Sequence, residues 1–126
     1  MESEETNKNL KSLEGKKRLL MMSNGEKVIA RILEITDNGL VIEDPAIVRV
    51  ENNQIYFNLL FDCLSEQSVY FMPTARIRMM AIPLDMVENF HHSYVIKMKS
   101  ELESFKRGDD FETVPADQQR ETITYH

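Results

Sequence analysis

Pro83 divides the chain into two patterns that no single kind of element can hold. Before it, apolar residues come in short runs closed by turn-forming pairs; after it, they recur every three or four residues. Short extended runs with tight turns bury their apolar faces by curling a sheet into a barrel or by stacking two sheets. A three-to-four step is the mark of one face of an amphipathic helix. With 126 residues, a single hydrophobic core and one domain are expected.

The extended half opens with Leu19, Leu20, Met21 and Met22, followed by Asn24-Gly25, a pair that tolerates positive φ and signals a hairpin. Lys27 to Thr36 comes next, with Val28, Ile29, Ile32, Leu33 and Ile35 on both parities. A straight half-buried strand would alternate cleanly, whereas a strongly bent strand need not. Asp37-Asn38-Gly39 forms a second turn and Leu40-Val41-Ile42 a third strand, which Asp44-Pro45 is expected to interrupt. Ile47, Val48 and Val50 resume extended structure, and Asn52-Asn53 suits a turn. Ile55, Phe57, Leu59 and Phe61 then alternate with period two. Val69 to Met72 forms another strand, ended by Pro73. Arg76 to Ile82 follows, with Ile77, Met79 and Ala81 on one face and Arg76, Arg78, Met80 and Ile82 on the other.

Beyond the break, proline suits the first helical position and Asp85 the first turn, where the helix dipole favours an acid. Leu84, Val87, Phe90, Tyr94, Val95, Met98, Leu102 and Phe105 make the apolar stripe of a helix over 84–107, with Gly108 as its cap. Residues 108–126 carry Asp109, Asp110, Glu112, Asp117 and Glu121 against Arg120, without any period, and are expected to be a disordered acidic tail. Residues 1–15 form a polar N-terminal segment, either a short helix ending near Gly15 or unstructured.

Composition excludes several classes. Hydrophobic residues at 42% and charged residues at 29% describe ordinary globular material. No apolar run approaches the roughly 18 residues of a membrane span. The polar start MESEETNKNLKS lacks the apolar core of a secretory signal, and the one cysteine, Cys63, cannot form an internal disulfide. A cytoplasmic, reducing location is therefore expected. A net charge of −6 argues against tight, sequence-independent nucleic-acid binding over the whole surface. A local basic pocket stays compatible with it, and repetition of that pocket around a ring would raise avidity.

Two blocks, in this order, resemble the Sm/LSm (Sm-like) family. The stretch from Asn24-Gly25 through Ala30 to Asp37-Asn38 is similar to the first motif: a turn, a bent strand with a small residue in it, then an acidic turn. The stretch Val69-Tyr70-Phe71-Met72-Pro73-Thr74-Ala75-Arg76-Ile77 to Pro83 is similar to the second: two strands around a very tight turn, ending in proline. The resemblance covers about residues 16–83. It implies a small open SH3-like barrel of strongly bent antiparallel strands that assembles into hexameric or heptameric homo-oligomer rings. It also implies single-stranded RNA held by loops 37–39 and 72–76 at a central pore. The departures are specific. Ala30 stands where the family has glycine, Met72-Pro73 where it has Arg-Gly, and no asparagine fills the base-holding place at the end of the first motif. The C-terminal helix is an addition, since the family's helix usually precedes the barrel.

Under this resemblance the candidate RNA contacts are Asp37, Asn38, Thr74, Arg76 and Arg78. Asp37 and Asn38 could hydrogen-bond a base or ribose, or serve only as turn residues that accept left-handed geometry. Arg76 and Arg78 share a face by parity and could bind phosphate, or pair with acids such as Glu43 or Glu66. Tyr56, Phe57, Tyr70 and Phe71 could stack on bases, or be core and cross-strand partners. His91 and His92 point about 100° apart on a helix and cannot share one metal ion. Glu88 and His92 lie at i, i+4 but lack a third ligand, so no metal is expected. Cys63 has no companion motif. No phosphate loop, nucleophile elbow or spaced ligand set occurs, so a non-enzymatic protein without a cofactor is expected. Two readings follow: a ring-forming Sm-like RNA binder, or a structural or protein-interaction module on the same barrel without RNA.

Overall fold

The computed structural model describes residues 14–107. Six antiparallel strands precede one helix: β1 (Lys17–Met22), β2 (Lys27–Ile35), β3 (Gly39–Glu51), β4 (Gln54–Leu59), β5 (Val69–Pro73), β6 (Ile77–Ala81) and α1 (Asp85–Lys106). The sheet runs β4-β3-β2-β1-β6, and β5 pairs with β3. A single 3-10 turn, Thr74–Arg76, links β5 to β6. Those two strands lie at opposite ends of the curled sheet and do not pair with each other, so the barrel is open. The mainly β class with a C-terminal helix is as the sequence leads one to expect. The expected N-terminal helix, the Gly108 cap and the acidic tail lie outside the described residues.

The mixed parity of β2 has two causes. Val28, Ala30 and Ile32 point into the barrel with Leu20, Met22, Leu40 and Ile42. Ile29, on the opposite face of the same strand, is fully buried as well, and it pairs with the fully buried Ala46. That second face lies under α1. Bending contributes too, since the β2–β3 register shifts twice, between Ile29 and Arg31 and between Ile32 and Glu34.

Asp44-Pro45 does not interrupt β3, contrary to expectation; the strand runs through it for 13 residues. Ile29 faces Ala46 and Arg31 faces Glu43, so Asp44 and Pro45 together oppose Ala30 alone. This is a bulge, with Asp44 at φ 52°. Here β3 also exchanges its second partner: Gly39–Glu43 pairs with β5 and Ala46–Glu51 with β4. The missing proline N–H therefore falls where no ladder bond is required. The small Ala30 side chain, fully buried, lies opposite the kink.

Two other expectations need correction. Arg76 belongs to the 3-10 turn, and Met22 faces Ile77 while Met21 faces Met79, so Arg78 sits in a register shift. Arg76 and Arg78 thus do not share a strand face. Ile77 and Met80 pack on the core, whereas Met79 is exposed. On the helix, Pro83 is buried upstream of α1, not its first residue; Leu84 is the N-cap. Leu84 and Phe90 are largely exposed, and the buried positions are His91 and Val95. Val87, Tyr94, Val95, Met98, Leu102 and Phe105 are buried or half-buried as the stripe predicts, and His91 takes the place of Phe90. His91 and Tyr94 lie on Phe57, at ring distances of 5.8 and 5.6 Å. The Tyr94 hydroxyl accepts the Leu59 N–H at 3.0 Å. Lys99 pairs with Asp44 at 3.5 Å, and Lys106 with Glu66. Among the described residues no helix is long and apolar enough to cross a membrane.

Candidate nucleic-acid interface

The turn between β2 and β3 is held from within. Thr36 Oγ1 accepts the N–H groups of Asn38 and Gly39, at 3.3 and 3.1 Å, and donates to the Gly39 carbonyl at 3.0 Å. This Thr-centred turn leaves Asp37 and Asn38 exposed. Gly39 faces Pro73 across the ladder. A Cβ at Gly39 would strike the Met72 carbonyl and come within 2.8 Å of the Phe71 ring, so only glycine lets β5 approach this closely.

The chain leaving β5 then closes the junction. The Thr74 N–H donates to the Asn38 carbonyl at 3.0 Å, which joins the two loops. Asp37, Asn38 and Thr74 therefore lie on one rim of the barrel, and Phe71, half-exposed, covers Gly39 beside them. The Arg76 carbonyl accepts the Ser23 N–H at 2.8 Å, which anchors its backbone while the side chain stays exposed. Arg78 is exposed on β6. Among the described residues neither arginine makes an ion pair. The acids expected to engage them are held elsewhere, Glu43 by Arg31 at 3.6 Å and Glu66 by Lys106. Of the five candidate contacts, the fold brings Asp37, Asn38 and Thr74 into direct association and sets Arg76 two residues further along the same turn. Arg78 lies beyond it in the strand.

The four aromatics separate. Phe57 packs under α1, and Tyr70 stacks on Phe61 at 5.3 Å with its hydroxyl donating to the Gln67 carbonyl. Tyr56 is partly exposed on β4, away from this rim, and donates to Gln54. Phe71 alone among them reaches the junction. An exposed ring, a turn amide and carboxylate, and guanidinium groups unpaired among the described residues can stack on a base, bond its edge and meet a phosphate.

His91 is a residue whose role the sequence reading missed. It is fully buried beneath α1, and its Nε2 lies 3.0 Å from the Asp44 carbonyl. Burial, first, and then the Lys17 charge lower its pKa to about 4, against the opposing pull of the Asp44 carbonyl. Its spacing of four from both Val87 and Val95 was the available signal. No group of three metal-ligating side chains occurs among the described residues. Cys63 is half-buried in the turn after β4. Compared with models of known families and with curated proteins, the chain matches none.

Proposed function

We propose that the chain is a non-enzymatic, ring-forming Sm-like protein that binds single-stranded RNA at the rim formed by residues 37–39 and 72–76. The Asn38–Thr74 junction carries this reading, because it holds the two candidate loops together between two sheet edges that are unpaired among the described residues. The outer edges of β5 and β6 are free to pair between copies, β5 of one with β6 of the next. Such a head-to-tail contact uses two different surfaces and closes into a ring when the rotation allows. Apolar side chains accompany both edges: Val69 and Phe71 on β5, Met79 and then Ile82 at β6. Phosphate contacts would come from Arg76 and Arg78, and stacking from Phe71.

The second reading, a structural or protein-interaction module without RNA, draws on the net charge of −6 and on Met72-Pro73 in place of Arg-Gly. Light scattering of the purified chain, followed by titration with U-rich and A-rich oligonucleotides at low salt, separates the two. A ring that binds, and that loses affinity and salt dependence in Arg76→Gln/Arg78→Gln, supports the first. A ring without binding supports the second. A monomer at micromolar concentration defeats ring formation.

A further inference from the structure

The cleft between α1 and the outer face of the barrel holds two buried polar groups that are short of partners. Lys17 is 7% exposed, and its ammonium, which has three donors, makes one bond among the described residues, to the Glu88 carbonyl at 3.3 Å. Burial, helped by the Arg31 charge, holds its pKa below the ordinary lysine value, with Glu88, Asp44 and Glu43 opposing. His91 is 1% exposed. A carbonyl can only accept, so His91 Nε2 carries the proton that it donates to Asp44. Nδ1 is then a bare acceptor, and nothing among the described residues bonds to it. A buried group in that state calls for an explanation, and a bound ion or water is one.

Both residues line the same cavity of about 190 Å³, together with Arg31, Lys99, Glu43 and Asp44. It has room for about six waters at their liquid volume, enough for one tetrahedral ion. Three cations face two carboxylates across it. The pairs they form are loose, Arg31 to Glu43 at 3.6 Å and Lys99 to Asp44 at 3.5 Å. Arg31 spends Nη1 on the Gly15 carbonyl. The lysines and the guanidinium thus retain donor capacity toward the cavity.

We propose that this cavity binds a protonated tetrahedral oxyanion, of which inorganic phosphate is the simplest, with Lys17, Arg31 and Lys99 donating to it and His91 Nδ1 accepting its O–H. The donors select an anion, and the bare nitrogen selects one that carries a proton. Sulfate has the same shape and no proton to give at neutral pH. It can satisfy Nδ1 only after His91 itself is protonated. The site stands apart from the 37–39/72–76 rim and does not depend on RNA binding.

The test uses the full chain in phosphate-free buffer with inorganic phosphate as the probe. The readouts are the His91 ring-nitrogen resonances and thermal unfolding. Millimolar phosphate is expected to move the Nδ1 resonance and to raise Tm. Lys17→Met should weaken binding about tenfold or more, as loss of a charge-assisted hydrogen bond implies. Sulfate should bind about tenfold more weakly near neutral pH and approach phosphate as the solution is acidified toward the His91 titration. The groups facing His91 in that range are Lys17, Arg31, Lys99, His92, Glu43, Asp44 and Glu88, so the comparison is made between anions at each pH. A nucleoside 5′-monophosphate distinguishes sources. If it moves the same resonance, the site takes a terminal phosphate; if only the free ion does, it takes inorganic phosphate. If Lys17→Met fails to fold, Lys99→Gln at the exposed rim provides the affinity comparison. A fixed His91 resonance throughout the phosphate titration overturns the proposal. Equal binding of sulfate and phosphate near neutral pH also overturns it, as does wild-type affinity in the folded variants.

Discussion

Replacing His91 with glutamine removes the titratable ring at the centre of the helix–barrel contact while keeping an N–H able to reach the Asp44 carbonyl. In the wild type the folded-state pKa is lowered from 6.5 to about 4, chiefly by burial. The unfolded chain therefore binds more protons than the folded one between those values. The stability contributed by neutral His91 is complete above the unfolded pKa and falls as pH drops toward the folded pKa. From the separation of the two values, the loss is about 2 kcal/mol by pH 5 and about 3 kcal/mol by pH 4. Carboxylates titrate in the same range, so the measured quantity is the difference between wild type and His91→Gln. Urea unfolding in phosphate-free buffer, near neutral pH and near pH 5, provides it. The variant starts less stable, because the ring contact with Phe57 is gone, but its stability should fall by about 2 kcal/mol less on acidification. Parallel curves for the two proteins would refute the claim that His91 is held neutral by burial.

Three further substitutions test separate joints. Tyr94→Phe leaves the Leu59 N–H without its acceptor and should cost about 1–3 kcal/mol in chemical denaturation, with the helix still present by circular dichroism. Ile29→Ala opens a void on the face beneath α1, away from the barrel core, and should cost about 2–5 kcal/mol in the same assay. Gly39→Ala forces β5 away from β3 and should cost about 1–3 kcal/mol. It should also weaken any oligonucleotide binding, because Asn38 and Thr74 lose their common support. Unchanged stability in Gly39→Ala would show that the β3–β5 approach has slack.

The strands and the change of period at Pro83 were legible because turn pairs and hydrophobic spacing are local signals. Asn24-Gly25, Asp37-Asn38-Gly39 and Asn52-Asn53 each lie where the chain reverses. Asp44-Pro45 was misread because a break and a bulge have the same local chemistry. Only the exchange of partners along β3 distinguishes them, and that is a long-range fact. On the helix, Phe90 was assigned to the packed face in place of His91 for a related reason. Phe90 is more apolar than His91, yet His91 finds a carbonyl in the bulge of β3, and hydropathy carries no information about that acceptor. At the rim, the two loops could be named from sequence but their joint could not, since the Thr74–Asn38 bond depends on how β5 returns to β3. Among the described residues, the lack of ion pairs at Arg76 and Arg78 is likewise a consequence of where Glu43 and Glu66 find other partners.

The bulge at Asp44 has a consequence for how this molecule opens. Its N–H bonds Ser68 in the segment leading to β5, its carbonyl accepts from His91, and its carboxylate pairs with Lys99. One residue therefore ties the approach to the barrel's fifth strand to two turns of the terminal helix. Although α1 is the last element in the chain, it cannot detach as a frayed end without loosening the bulge and the start of β5. The helix and that strand belong to one cooperative unit of opening, and their amides should exchange with solvent together.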